Sequence, residues 1–189
     1  MIFAMEGKPI PRNPSIIGEH KIFTSAYNAY LDGAHKAVYQ IYKSGRWKIQ
    51  YPLEMLILAE AMAEAQDPTF LALNRSLQMF WPDSAQAALA RYHWRKGENI
   101  QAFQALTRAI AGFQKNPWNH EVVMKNSLEL AKEMAKHDPG GVGIQIFNLL
   151  LEPLSVQILL EYQNVTLLEI AESIGPEFGV QALHRLEPH

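Results

Sequence analysis

Apolar residues recur along this chain at helical spacing in ten segments, and no segment alternates cleanly with the period of two expected of a half-buried strand. Phe103, Leu106, Ile110 and Phe113 follow the i, i+3, i+7, i+10 stripe of an amphipathic helix, and Ala85, Leu89 and Tyr92 share one face of the segment before it. Val156, Leu160, Leu167, Ile170 and Ile174 repeat the pattern near the C-terminus. The predicted helices cover 15–31 and 34–42, 53–66 and 68–80, 83–96 and 98–115, 118–137 and 139–151, and 154–173 and 176–186. Within the pairs the turns fall at Asp32-Gly33, Asp67-Pro68, Gly97, Asp138-Pro139 and Gly175-Pro176. Glycine accepts the left-handed backbone that ends a helix, while Asp caps free N–H groups and Pro fits the first helical position.

Prolines set the period. Pro14, Pro52, Pro82, Pro117, Pro153 and Pro188 stand 38, 30, 35, 36 and 35 residues apart, and Pro68, Pro139 and Pro176 fall inside the intervals. Two helices per interval of about 35 residues is the pattern of a stacked repeat array, in which each unit buries its apolar face only against its neighbours. The expected architecture is therefore all-α, a right-handed α-α superhelix of about five helix pairs. It comprises an extended lead-in at 1–14 and one repeat domain at 15–188, with pairs at 15–51, 52–81, 82–116, 117–152 and 153–187.

One segment carries more than the period. In AALARYHWRKGENIQAFQALTRAIAGFQKNP, small Ala90 is followed by Gly97 at the turn, Ala102 and Ala109 in the second helix, and Pro117 at the close. Over residues 83–117 this resembles the tetratricopeptide repeat, whose two helices cross over small residues at these spacings. The segment departs from that family at Gln86 and His93, where the repeat has tryptophan and tyrosine, and by about three extra residues before Pro117. The other pairs keep the period without the residue pattern. The resemblance implies that the first helices line an inner face where peptide segments bind.

Composition changes the picture mainly by exclusion. The chain is 48% hydrophobic and 19% charged with a formal net charge of −2, which gives no bulk attraction to nucleic acid or to an anionic membrane. The charge is uneven: seven Lys/Arg against three acids in 1–48, nine against ten in 49–151, one against six in 152–189. There is no cysteine, so disulfides and thiolate metal sites are excluded. The N-terminus lacks the basic start and long apolar run of a signal peptide, and Glu54, Glu60, Glu64 and Glu152 interrupt the most apolar stretches before they reach membrane-spanning length. A cytoplasmic chain, or a cytoplasmic module of something larger, is expected.

Catalytic motifs fail one by one. His120-Glu121 begins like a helical zinc-hydrolase motif, but Met124 stands where the second ligand belongs. The DPGGVG run at 138–143 lacks the Lys-Ser/Thr of a phosphate loop, and neither a nucleophile elbow nor a dinucleotide fingerprint is present. No enzyme activity, metal or cofactor is expected. A groove remains. Ala87, Arg91, Trp94 and Arg95 share a face, small Ala87 leaving room for a ligand backbone, the arginines forking onto a carboxylate and Trp94 adding apolar or cation-π contact. Lys125, Asn126 and Lys132 present donors on the next first helix. The expected role is a protein-interaction scaffold for a peptide or partner with an acidic or C-terminal carboxylate; the alternative is a regulatory or assembly domain of a larger enzyme. At the C-terminal end Leu159, Phe178, Val180, Leu183 and Leu186 suggest an interface, through which residues 154–186 pack against a second copy or against a segment outside the chain.

Overall fold

The computed structural model describes residues 14–116, 120–154 and 159–186, with side chains from Lys21 to Arg185 within those ranges. Residues 1–13 of the predicted lead-in, Pro117, Trp118, Val156, Pro188 and the side chain of Leu186 lie outside the described residues. All regular structure among the described residues is helical: α1 Pro14–Leu31, α2 His35–Lys43, α3 Pro52–Glu64, α4 Phe70–Gln78, α5 Pro82–Arg95, α6 Asn99–Lys115, α7 Glu121–His137, a π-helical turn Pro139–Gly143 leading into α8 Ile144–Leu150, α9 Leu160–Ile174 and α10 Pro176–Leu186. None of these helices is long and apolar enough to cross a membrane.

The proline beat has a local cause. Pro14, Pro52, Pro82, Pro139 and Pro176 each open a helical element, the position where the missing N–H would be unpaired anyway and the fixed φ is already helical. Gly33 and Gly97 take left-handed backbone, φ 71° and 75°, and so turn α1 into α2 and α5 into α6. Asp138 accepts hydrogen bonds from the Gly141 and Val142 amides at 3.0 and 3.1 Å and starts the π-helical turn. Asp67 works differently from the simple cap expected of it. Its carboxylate accepts from the Thr69 amide, the Thr69 hydroxyl and the Tyr39 hydroxyl, and α4 begins only at Phe70.

Helix α9 runs from Leu160, Leu154 is not helical, and residues 155–158 of the predicted helix 154–173 lie outside the described residues. Gln163, fully buried, accepts from the Leu154 amide at 2.9 Å and donates to the carbonyls of Leu150 and Glu152. Gln114 donates to the carbonyls of Leu149 and Glu152 and Arg185 to that of Leu151, so side chains from three helices satisfy the backbone that follows α8.

Each even-numbered helix packs on the odd-numbered helix before it, and α2, α4, α6 and α8 also pack on the next odd one. The odd helices form a continuous line of contacts, α1 to α3 to α5 to α7 to α9. Helix α3 is buried around its whole circumference from Leu56 to Ala63, as expected of an element apolar on every side. The helices α5 and α6 pack closely on each other, and their alanines Ala88, Ala90, Ala102 and Ala109 are all fully buried.

Candidate functional site

The odd-numbered line carries an unusual amount of buried charge. Two acids of α3, Glu60 and Glu64, stand one turn apart, and Glu64 meets Arg91 and Arg95, one turn apart on α5. Glu64 accepts from Arg91 Nη1 at 3.1 Å and from Arg95 Nε at 2.9 Å. The other edge of the Arg95 guanidinium forks onto Glu133 of α7 with contacts of 2.5 and 3.0 Å, and the Trp94 indole N–H donates to the same carboxylate at 2.9 Å. Arg91 Nη2 donates to the Asn126 carbonyl at 3.2 Å, and the Asn126 amide reaches Glu60 at 2.7 Å. A ladder of charge and hydrogen bonds therefore ties α3, α5 and α7 together, two helix pairs apart at its widest.

The two arginines are not equivalent. Arg91 is 7% exposed, whereas the Arg95 side chain is 23% exposed and its partner Glu133 is 47% exposed. Burial pushes the Glu64 and Glu133 carboxyls up, but the arginine contacts, with Trp94 helping at Glu133, outweigh it and hold both below the ordinary carboxylate range. Glu60 goes the other way. Its complete burial dominates the attraction of Arg91 and the hydrogen bond from Asn126, and its pKa rises to about 7. Beside it, His35 Nε2 stands 3.8 Å from the carboxylate, and burial with the positive field of Arg91 lowers the imidazole to about 3, leaving it neutral. The Tyr30 hydroxyl interacts electrostatically with Glu60 without reaching hydrogen-bond geometry, and Tyr30 Oη, His35 Nδ1 and Glu60 Oε1 are all buried with no partner.

Of the seven groove residues expected from the sequence, Arg91, Trp94, Arg95 and Asn126 fall in this one network. Lys132 pairs with Glu129 at 2.7 Å and Glu169 at 3.1 Å, and both Lys125 and Lys132 sit over the ring of Tyr162 on α9, whose hydroxyl donates to Glu129. Ala87, one turn before Arg91, is buried. At the C-terminal end Leu159 is buried and Phe178 stacks edge-on against Phe147 at 5.3 Å, while Val180 and Leu183 are 58% and 57% exposed. Among the described residues no group of three or more His, Asp or Glu side chains could hold a metal ion.

Arg91 separates two open cavities. One, of about 270 Å3, lies between the start of α2 and Glu64, Arg91 and Arg95. The other, of about 310 Å3, is lined by Arg91, Glu129, Leu130, Lys132, Glu133 and Lys136. The residues that sequence reasoning missed are the acids and their neighbours: Glu60, Glu64, Glu133, His35 and Tyr30. A signal existed for two of them, because Glu60 and Glu64 are charges inside the most apolar stretch of the chain, where an unpaired charge is not tolerated. Comparison with protein families, curated proteins and solved structures finds no match for this chain.

Proposed function

We propose that the chain is a protein-interaction module, a right-handed α-α superhelix of tetratricopeptide-like helix pairs that binds an acidic segment of a partner protein along the face of its odd-numbered helices. The reading is of a binding module in a cytoplasmic setting and not of an enzyme. One observation carries it: Arg95 and Trp94 already clasp a carboxylate, that of Glu133, in a forked arrangement with an added indole N–H. Glu133 is half exposed, and a surface ion pair of this kind contributes only about 0–1 kcal/mol. A partner's Asp, Glu or terminal carboxylate can therefore replace it at little cost and gain the same donors. The adjoining cavity adds Lys136, Leu130 and Lys132, the last already paired with Glu129 and Glu169.

Calorimetric titration with a short Glu/Asp-rich peptide tests the reading. Measurable binding by the parent, abolished in Arg95→Glu and absent for the Gln/Asn version of the peptide, is the expected result. Equal binding of both peptides, or an affinity indifferent to Arg95→Glu, would remove the acidic-groove assignment.

A further inference from the structure

The two ends of the odd-numbered line carry opposite charge. From Lys21 to Lys48 there are five Lys/Arg and one acid, whereas from Leu159 to Leu186 there are four acids and one Lys/Arg. That single cation, Arg185, is turned back on its own molecule, donating to the Leu151 carbonyl at 2.7 Å and to Asn164 at 2.6 Å. Of the four acids, Glu169 is engaged by Lys132, which leaves Glu161, Glu172 and Glu177, all exposed.

Each end also presents apolar surface beside its charge. A cavity of about 460 Å3 opens between α1 and the end of α2, with half-buried Ile22 and Ile41 and exposed Lys21 and Arg46 in its lining and no carboxylate. At the other end Val180 and Leu183, one turn apart on α10, are 58% and 57% exposed, and Glu177 lies one turn before Val180 on the same exposed side. Helix α9 adds Val165, 52% exposed, on one stripe with Glu161 and Glu172. An apolar helix edge beside acids matches an apolar cavity beside cations, and such complementarity selects partner and register. The two patches stand at opposite ends of the line of contacts from α1 to α9, so the match is made between molecules.

We propose that α10 of one molecule docks in the α1–α2 cavity of a second copy of this chain, with Val180 and Leu183 against Ile22 and Ile41 and Glu177 beside Lys21 and Arg46. A contact between two different patches is heterologous and joins molecules head to tail. None of these residues lines either cavity beside Arg91, so the contact stands apart from the binding of an acidic segment there.

Sedimentation equilibrium of the full chain over a concentration series tests this. The mass of the parent should rise above that of the monomer between about 10 and 500 μM, the range of a small, weak interface. Lys21→Glu with Arg46→Glu disables the cavity, and Val180→Glu with Leu183→Glu disables the helix edge; all four residues are exposed, so the core is untouched. Each double variant alone should stay monomeric, and an equimolar mixture of the two should form a dimer and stop there, because one intact cavity then meets one intact edge. A parent that is monomeric throughout the series would overturn the proposal. Association that survives Lys21→Glu with Arg46→Glu would mean that the C-terminal patch pairs with itself, and a mixture no heavier than its components would mean that cavity and edge do not meet; either result would overturn it as well.

Discussion

The buried alanines of α5 and α6 and the charged face that α5 turns toward α3 and α7 are held by different physics. Ala88, Ala90, Ala102 and Ala109 are fully buried and bring no polar side-chain atom that needs a partner, so close approach alone is sufficient for them. A few ångströms away, Arg91 is nearly as buried but is acceptable there only because Glu64 and the Asn126 carbonyl satisfy it. The first region tolerates nothing larger. The second tolerates nothing unpaired. Shape fixes how neighbouring helices pack, and the ladder fixes which charges face each other across the odd-numbered line.

The contrast is broken most severely at Arg91. Replacing it with alanine leaves Glu64 without one of its two arginines and opens space beside Glu60, and breaking a buried pair in this way costs about 3–5 kcal/mol. Chemical denaturation should show that loss for Arg91→Ala, and a loss under about 1 kcal/mol, the range of exposed ion pairs, would mean that Arg91 behaves as a surface residue. The sequence alone placed Arg91 and Arg95 together as an exposed ligand-facing pair; their different burial makes Arg95 the residue to reverse in binding experiments.

Glu60 sharpens the contrast through pH. Its folded pKa of about 7 against an ordinary 4.5 means that the folded chain keeps a proton which the unfolded chain releases between those values. Stability from this group is therefore full below pH 4.5, falls as pH rises through that window, and levels off above about 7. His35 acts in the opposite sense: lowered from 6.5 to about 3, it contributes stability above 6.5 that is lost as pH falls. The two slopes oppose each other in mildly acid solution. In Glu60→Gln the carboxyl slope disappears, so relative to the parent the variant should gain up to roughly 3 kcal/mol between pH 4 and pH 8, the gain shrinking through the window and vanishing only below about pH 4.5. Thermal melts across pH 4–8 check this, and parallel curves for the two proteins would contradict it.

On the apolar side the expected effects are smaller. Ala102→Leu should destabilise by about 1–3 kcal/mol through overpacking. Gly143→Ala belongs to the same class, because an added Cβ would stand 2.7 Å from Ile174 Cγ2 and 3.2 Å from the Asp138 carbonyl oxygen. Melting temperatures unchanged in both would show that these contacts yield easily. Least costly is Glu133→Gln, for which a stability change within about 1 kcal/mol is expected.

Much of this was legible in the sequence for physical reasons. Proline at the first helical position and glycine at φ near 70° are local requirements, so the helices could be placed from residues alone, and the all-α class followed from their apolar period. The role of Gln163 was not legible, because it reaches back to carbonyls outside its own helix. The site was half legible. Arg91, Trp94 and Arg95 are one turn or less apart on α5, which spacing reveals, whereas Glu133 lies 38 residues beyond Arg95 and meets it only through packing. The ladder's acids belonged to helices whose mutual orientation no local pattern fixes.

The central claim is that Glu133 occupies the seat of a partner's carboxylate, and the affinity of an acidic peptide for Glu133→Gln tests it most directly. Removing the resident competitor while keeping the shape of the side chain should tighten binding about three- to tenfold over the parent, a gain of up to roughly 1.4 kcal/mol, with stability nearly unchanged. An affinity that is unchanged or weaker in Glu133→Gln would contradict the account, since it would mean that Arg95 and Trp94 hold Glu133 for the fold alone.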